Sequence, residues 1–268
     1  MVQLIKFKFL IIGLMWSVSL QLNAEYDHAP WDQLLVDHVI VLPGGNATQV
    51  NYDGMMTDRT SLLVYLNGLS TIDRGVFDTW PNNEQLAFLL NAYNAWTVEL
   101  ILTEYPNLES IRDLGFLFLT PWKKKFIPLF GAQVSLDNIE HDMIRGSGLY
   151  NEPRIHFAAN CAAIGCPGLQ AEAYQGRKLN QQLENGTRLF LSDSSRNYYS
   201  SGRLFISSLF DWYEEDFEMG WRGTNSVTEF LMLYVDTLNL LPGAREEWRE
   251  GGLSIRHLKY DWGLNRTP

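Results

Sequence analysis

From Pro81 to Pro106 the chain carries one helix-length segment that is apolar on every side. Leu86, Ala87, Phe88, Leu89, Leu90, Ala92, Tyr93, Ala95, Trp96, Val98, Leu100, Ile101 and Leu102 cover nearly the whole circumference of a helix. A helix of that kind has no solvent face and must be wrapped by other elements. Pro106 closes it, because proline cannot continue the hydrogen-bond ladder. The fold is therefore built around a central buried helix. Asn91 and Asn94 sit in that helix three residues apart, on one flank. Buried amides must be hydrogen-bonded. They either tie down a neighbouring loop or orient a side chain at a functional site.

The segments around this helix are shorter. Helical spacing is read at Trp31–Ile40, in a helix capped by Thr57 or Asp58 and running through Leu69, at Arg177–Leu191, and at Ser226–Leu240 with Pro242-Gly243 ending it. Phe126–Phe130 and Gln133-Val134 flank Gly131 as a hairpin, and Leu204–Ile206 and Leu253–Tyr260 read as strands. Hydrophobic residues make up 46% of the chain and aromatics 13%, enough for a substantial core. No repeat or linker composition divides it. The expected architecture is a single α+β domain with a central buried helix, peripheral helices and a small, mostly antiparallel sheet.

The first 24 residues read as a signal peptide. Lys6 and Lys8 precede an apolar run from Phe9 to Leu20, and Leu22-Asn23-Ala24 is an acceptable cleavage site. The domain is then 25–268, and the protein is exported, periplasmic or secreted. No later stretch is a candidate membrane span. The net charge of −10 argues against a nucleic-acid partner, and the Lys123-Lys124-Lys125 run beside Phe116, Phe118, Trp122 and Phe126 is read as a solvated loop.

Reactive side chains concentrate between Val134 and Leu169, where both cysteines and two of the five histidines fall. Ser135 caps a helix whose apolar face is Leu136, Ile139, Met143 and Ile144. Glu140 points into that face and needs a partner, because an unpaired buried carboxylate is costly. His141 sits at its edge, and neighbours on one helix point about 100° apart, so Glu140 does not orient His141 directly. Ile155 to Ala158 reads as a short strand that turns His156 away from Ile155 and Phe157. Cys161 follows at the strand end, before small residues and the turn Gly165-Cys166-Pro167-Gly168. Free amides and a helical turn there lower a thiol pKa. Cys161 is expected as a free thiol, although four intervening residues also permit a disulfide to Cys166. The acids between Asp211 and Asp216 match no calcium loop and read as a solvated turn.

Three phrases occur in order: Asn91-Ala92-Tyr93-Asn94-Ala95, Ser135-Leu136-Asp137-Asn138-Ile139-Glu140-His141, and His156-Phe157-Ala158-Ala159-Asn160-Cys161 through Cys166-Pro167. Together they resemble the family called domain of unknown function 547. Val50-Asn51-Tyr52-Asp53-Gly54, Phe210-Asp211-Trp212-Tyr213 and Tyr260-Asp261-Trp262 resemble its bacterial members. The resemblance runs from about Tyr52 to the C-terminus. The family's activity is not established, but the resemblance implies a relation to papain-like cysteine hydrolases, with Cys161 and His141 as the candidate pair. Plant members resemble the chain at Cys161 and not at Cys166, which makes Cys166 the less essential thiol.

The expected function is a cysteine-dependent hydrolase of amide or peptide bonds, acting on an unknown peptide or small molecule. Its site is drawn from Cys161, His141, Asn94, Asn91, Glu140 and His156, with an asparagine behind the histidine. No cofactor is implied. The alternative is a noncatalytic exported binding domain. Zinc held by the cysteines and a histidine is less favoured, because there is no second close pair of ligands.

Overall fold

The computed structural model describes residues 26–115 and 120–268. The proposed signal peptide and the aromatic residues Phe116 and Phe118 lie outside the described residues. The central helix is Asn82–Leu102, and every residue from Gln85 to Leu102 is buried. Its buried Gln85, Thr97 and Glu99 are all engaged. Gln85 joins Trp80 and Tyr150, Thr97 bonds back to Tyr93, and Glu99 takes a two-point ion pair from Arg59. Arg59–Ser70 packs against one side of the helix and Asn138–Ile144 against another. Ala29–His38 covers Arg59–Ser70 in turn.

The sheets are small. Val39–Val41 pairs with Thr48–Val50, and Ile127–Leu129 with Ala132–Val134, both antiparallel. The second hairpin turns at Phe130 and Gly131, both at positive φ, which suits the twist of a two-residue turn. A third sheet joins Tyr198–Ser200, Arg203–Ile206 and Ser254–His257, the last pair parallel. The fold is α+β, as expected. No helix among the described residues is long and apolar enough to cross a membrane.

Several local expectations change. The stretch read as a strand is a 3-10 helix, Pro153–Phe157. Pro153 supplies a helical φ at its start, the Glu152 side chain accepts from the Arg154 amide, and all five residues are buried, so alternation does not apply. The expected helix Ser226–Leu240 is helical only over Val227–Met232. Beyond it the backbone bonds tighten to three-residue steps, Leu233 to Phe230, Tyr234 to Leu231 and Val235 to Met232. Pro242 opens a helix, Pro242–Arg249, instead of ending one.

Two clusters of buried side chains meet at one loop. The first surrounds the central helix and includes Ala158 and Ala162. The second centres on Phe157, Phe210, Phe217 and Phe230 and includes Ala163, Cys166 and Tyr260. The loop from Asn160 to Gly168 thus contributes to both cores.

Candidate functional site

The cysteine loop is held from two directions. From the central helix, Asn94 donates to the Ala158 carbonyl at 3.0 Å and accepts from the Asn160 amide at 2.8 Å. From the C-terminal segment, Ile164 N reaches Gly263 O at 2.7 Å, Gly165 N reaches Asp261 O at 2.8 Å, and Asn265 N reaches Ala162 O at 3.1 Å. The buried Asn160 side chain ties the loop to itself, accepting from the Ala162 amide and donating to the Pro167 carbonyl. Ala162, directly after Cys161, is held at φ +61°. A non-glycine residue there is unusual and is kept only where its surroundings over-determine it.

Cys161 and Cys166 are bonded to each other, with Cα atoms 6.1 Å apart. This corrects the expectation of a free thiol at Cys161. The tight Gly165-Cys166-Pro167 turn brings the two sulfurs together. The loop amides expected to polarise a thiolate are also occupied: Cys161 N donates to Cys166 Sγ at 3.0 Å, and those of Ala162, Ile164, Gly165 and Cys166 all have acceptors. The two cysteines differ in surroundings. Cys166 is 1% exposed and Cys161 is half-buried. The Tyr260 hydroxyl lies 3.2 Å from each sulfur. Burial raises the Tyr260 pKa well above that of free tyrosine, so the hydroxyl keeps its proton and donates to the pair.

Glu140 and His141 lie on a π-helical segment, Asn138–Ile144. Such segments are short and recur at functional sites. Ser135 caps its start, with its hydroxyl accepting from the Asn138 amide. Glu140 is 6% exposed and has the partners its burial demands, the hydroxyls of Tyr93 and Tyr213. Both tyrosines are pushed far up, first by burial and then by the Glu140 charge, and both remain donors. Tyr260 also feels that charge, which places the sulfur pair in the electrostatic neighbourhood of Glu140.

The histidines belong to a second constellation, gathered around Tyr213. Arg145 makes a two-point pair with Asp216, at 2.6 and 3.0 Å. Asp216 also bonds His156 Nε2 at 2.6 Å. Burial opposes its charge, but the bonds from His156 and Arg145 prevail and bring its pKa down to about 2. The third contact of Arg145 is Nη1 to His141 Nδ1 at 2.7 Å. A guanidinium only donates, so His141 Nδ1 accepts and the proton of the neutral ring sits on Nε2, 4.0 Å from Asp137. His156 stacks on Tyr213 with ring centres 3.9 Å apart, and Arg145 lies over the same ring. The His141 ring faces Tyr213 from 6.3 Å.

Tyr213 and Tyr260 therefore link the expected site residues. The structure gathers Glu140, His141 and His156 around Tyr213, and Cys161 joins them through Tyr260. Neither asparagine orients a histidine, which corrects that expectation. Asn94 is spent on the cysteine loop. Asn91 clamps a different loop, donating to the Tyr174 carbonyl and accepting from its amide. Arg145, Asp216, Tyr93, Tyr213, Tyr260 and Asn160 were not picked out from the residues as site members. Asp216 was hidden among acids read as a solvated turn; the segment is instead two short helices, Leu209–Trp212 and Glu214–Phe217, on which Asp211, Glu214 and Glu215 are exposed and Asp216 is not. Tyr213 and Tyr260, by contrast, stood in phrases that carried the resemblance. Among the described residues, no group of three or more histidine, cysteine or acidic side chains is arranged to hold a metal ion.

No curated protein and no solved structure matches the chain. The model of a family described as "Protein of unknown function, DUF547" matches residues 77–191, and over that segment, which spans the central helix, the π-helix and the cysteine loop, the chain is similar to this family.

Proposed function

We propose that the protein is exported as one domain after loss of residues 1–24. In its dithiol form it is a cysteine-dependent hydrolase of amide or peptide bonds, with Cys161 as nucleophile. The observation that carries this reading is the placement of Cys161. It is the more exposed cysteine, on a pinned loop, beside a backbone kink at Ala162 and 3.2 Å from a protonated Tyr260 hydroxyl. In the thiol form that hydroxyl donates to the Cys161 sulfur and favours the thiolate. The thiolate attacks the carbonyl carbon, the C–N bond breaks, the amine leaves with a proton, and water releases the acyl group from sulfur. His141 is the histidine that a substrate reaches, with 39% of its side chain exposed, whereas His156 is walled in by Tyr213 and Phe217. Proton transfer by His141 requires its ring to leave Arg145.

The test is acylation. The mature protein, reduced and oxidised, is exposed to activated acyl esters and to a peptide library, with Cys161→Ser and His141→Ala alongside. The expected result is an acyl adduct on Cys161 and turnover in the reduced form alone, both lost in Cys161→Ser and slowed in His141→Ala. Reduced protein that forms no adduct and turns over nothing overturns the hydrolase. Export is checked separately by N-terminal sequencing, which should begin at Glu25; a retained Met1 in a soluble cytoplasmic fraction overturns it. A second reading, a noncatalytic exported binding domain, is favoured by one observation: the disulfide occupies the nucleophile while both histidines are engaged elsewhere.

A further inference from the structure

We infer that the Cys161–Cys166 disulfide is a working thiol–disulfide exchange centre, opened by an external dithiol that attacks Cys161 and expels Cys166. This goes beyond the hydrolase reading, because sulfur exchange needs neither a histidine nor an acyl substrate.

The first observation is how little the bond constrains. The two cysteines are separated by only five positions. Cross-links stabilise chiefly by closing long loops, and the gain grows with loop length. Here the loop is already fixed. Gly263, Asp261 and Asn265 hold its backbone, Asn94 and Asn160 hold its start, and Arg196 Nη2 donates to the Ile164 carbonyl at 2.8 Å. Removing the S–S bond leaves those contacts in place. The two thiols then stay facing each other and can re-form the bond, as a reversible centre requires.

The second observation is the asymmetry of the sulfurs. An incoming thiolate meets the half-buried Cys161, while Cys166 is closed off at 1% exposure. Cys166 Sγ accepts from the Cys161 amide at 3.0 Å and from the Tyr260 hydroxyl at 3.2 Å. Both donors strengthen as negative charge develops on that sulfur. Exchange is faster when the departing thiolate is the better stabilised one. Access and leaving-group stability therefore select the same direction.

The step balances without further reagents. A thiolate of the reductant bonds to Cys161 Sγ as the S–S bond breaks, and its electron pair leaves on Cys166. The second thiol of the reductant loses its proton to solvent and attacks its partner sulfur in the mixed disulfide, which releases Cys161 as a thiolate. The reductant departs as a disulfide, two electrons have passed to the cysteine pair, and the released thiolates take up protons from solvent as pH dictates.

The test uses the mature, oxidised chain under native conditions with glutathione as a monothiol probe. After acid quench, free thiols are alkylated and peptides mapped. The expected early product carries glutathione on Cys161 and the alkyl group on Cys166. Tyr260→Phe should slow the appearance of this product by roughly fivefold or more, the effect of one lost hydrogen bond to a charged sulfur. Its native fold is checked by circular dichroism. Glutathione found first on Cys166, or adducts forming only at denaturant concentrations that unfold the chain, overturns the inference. An unchanged rate in folded Tyr260→Phe removes the leaving-group argument and overturns the stated direction. The readout follows sulfur alone, so a failed hydrolase leaves its result intact.

Discussion

Replacing Asn94 by alanine should loosen the cysteine loop without touching a sulfur. Its amide satisfies two backbone groups, the Ala158 carbonyl and the Asn160 amide, and both residues are less than 5% exposed. Alanine reaches neither, and no water-exposed route replaces the lost partner. Each buried group left unpaired costs about 1–3 kcal/mol, so the variant should lose on the order of 3 kcal/mol. That is a large share of the roughly 5–15 kcal/mol by which a domain is stable. Urea unfolding followed by tryptophan fluorescence reads it, with the eight tryptophans of residues 25–268 as reporters. The midpoint should fall while the slope stays constant. Asn91→Ala is the matched control, because Asn91 makes the same two-point clamp on Tyr174, away from the cysteines. Both variants should be destabilised to a similar degree, but only Asn94→Ala should change the native-state rate at which glutathione opens the disulfide. A loss below about 1 kcal/mol for Asn94→Ala, or an equal rate change in both variants, would refute the assignment of Asn94 as the clamp of this loop.

Three further outcomes follow from the same contacts. Asp216 has a folded pKa of about 2, below the 3.8 of a free aspartate, so its pairing stabilises the fold above pH 3.8 and that contribution fades as pH falls through 2. The depression corresponds to about 2 kcal/mol, and Asp216→Asn should flatten this part of the stability–pH curve in acid unfolding titrations. Glu140→Ala leaves the Tyr93 and Tyr213 hydroxyls without an acceptor and should cost about 2–4 kcal/mol, whereas Glu140→Gln keeps an acceptor oxygen and should cost clearly less in the same urea experiment. Reducing the disulfide should lower stability by no more than about 2 kcal/mol, the scale for so short a loop; a collapse of the fold on reduction would mark the bond as a structural staple.

How much of this was legible in the sequence depended on what each residue's signal was made of. The central helix was legible because burial on all sides leaves an unmistakable pattern, and the burial of Gln85 to Leu102 matches it. Glu140 was legible as a buried acid in need of a partner, since a charge in an apolar face breaks the pattern. Its partners were not, because Tyr93 and Tyr213 lie 47 and 73 positions away in a fold that spacing does not reveal. The asparagines were recognised as out of place, but the role weighed as the plainer one, tying down a loop, is the one the contacts bear out. Pro153–Phe157 was misread because alternation and a short buried 3-10 helix look alike over four residues. The disulfide was within reach of the spacing. The preference for a free thiol came from the family's suggested chemistry and from amides that turn out to be occupied.

What separates the functional readings is the chain of contacts from Asp216 to His141. For His141 to take a proton, its Nδ1 must be released from Arg145 or its Nε2 must give up hydrogen, and the second is excluded while Arg145 donates to Nδ1. Arg145 is in turn fixed by two bonds to Asp216, which His156 also holds. His141 is thus restrained by Arg145, which is itself held in the ion pair with Asp216. Glu140 is engaged as well, with two tyrosine protons directed at it. With the disulfide closed there is no thiol proton to remove, and the restrained histidine is consistent with that state. Opening the disulfide puts a proton or a charge on Cys161 beside Tyr260, and the hydrogen bonds that now converge on Cys166 and Glu140 must redistribute. A structure of the reduced protein in which His141 keeps its bond to Arg145 would separate sulfur exchange from hydrolysis, because exchange proceeds without the histidine and amide hydrolysis does not.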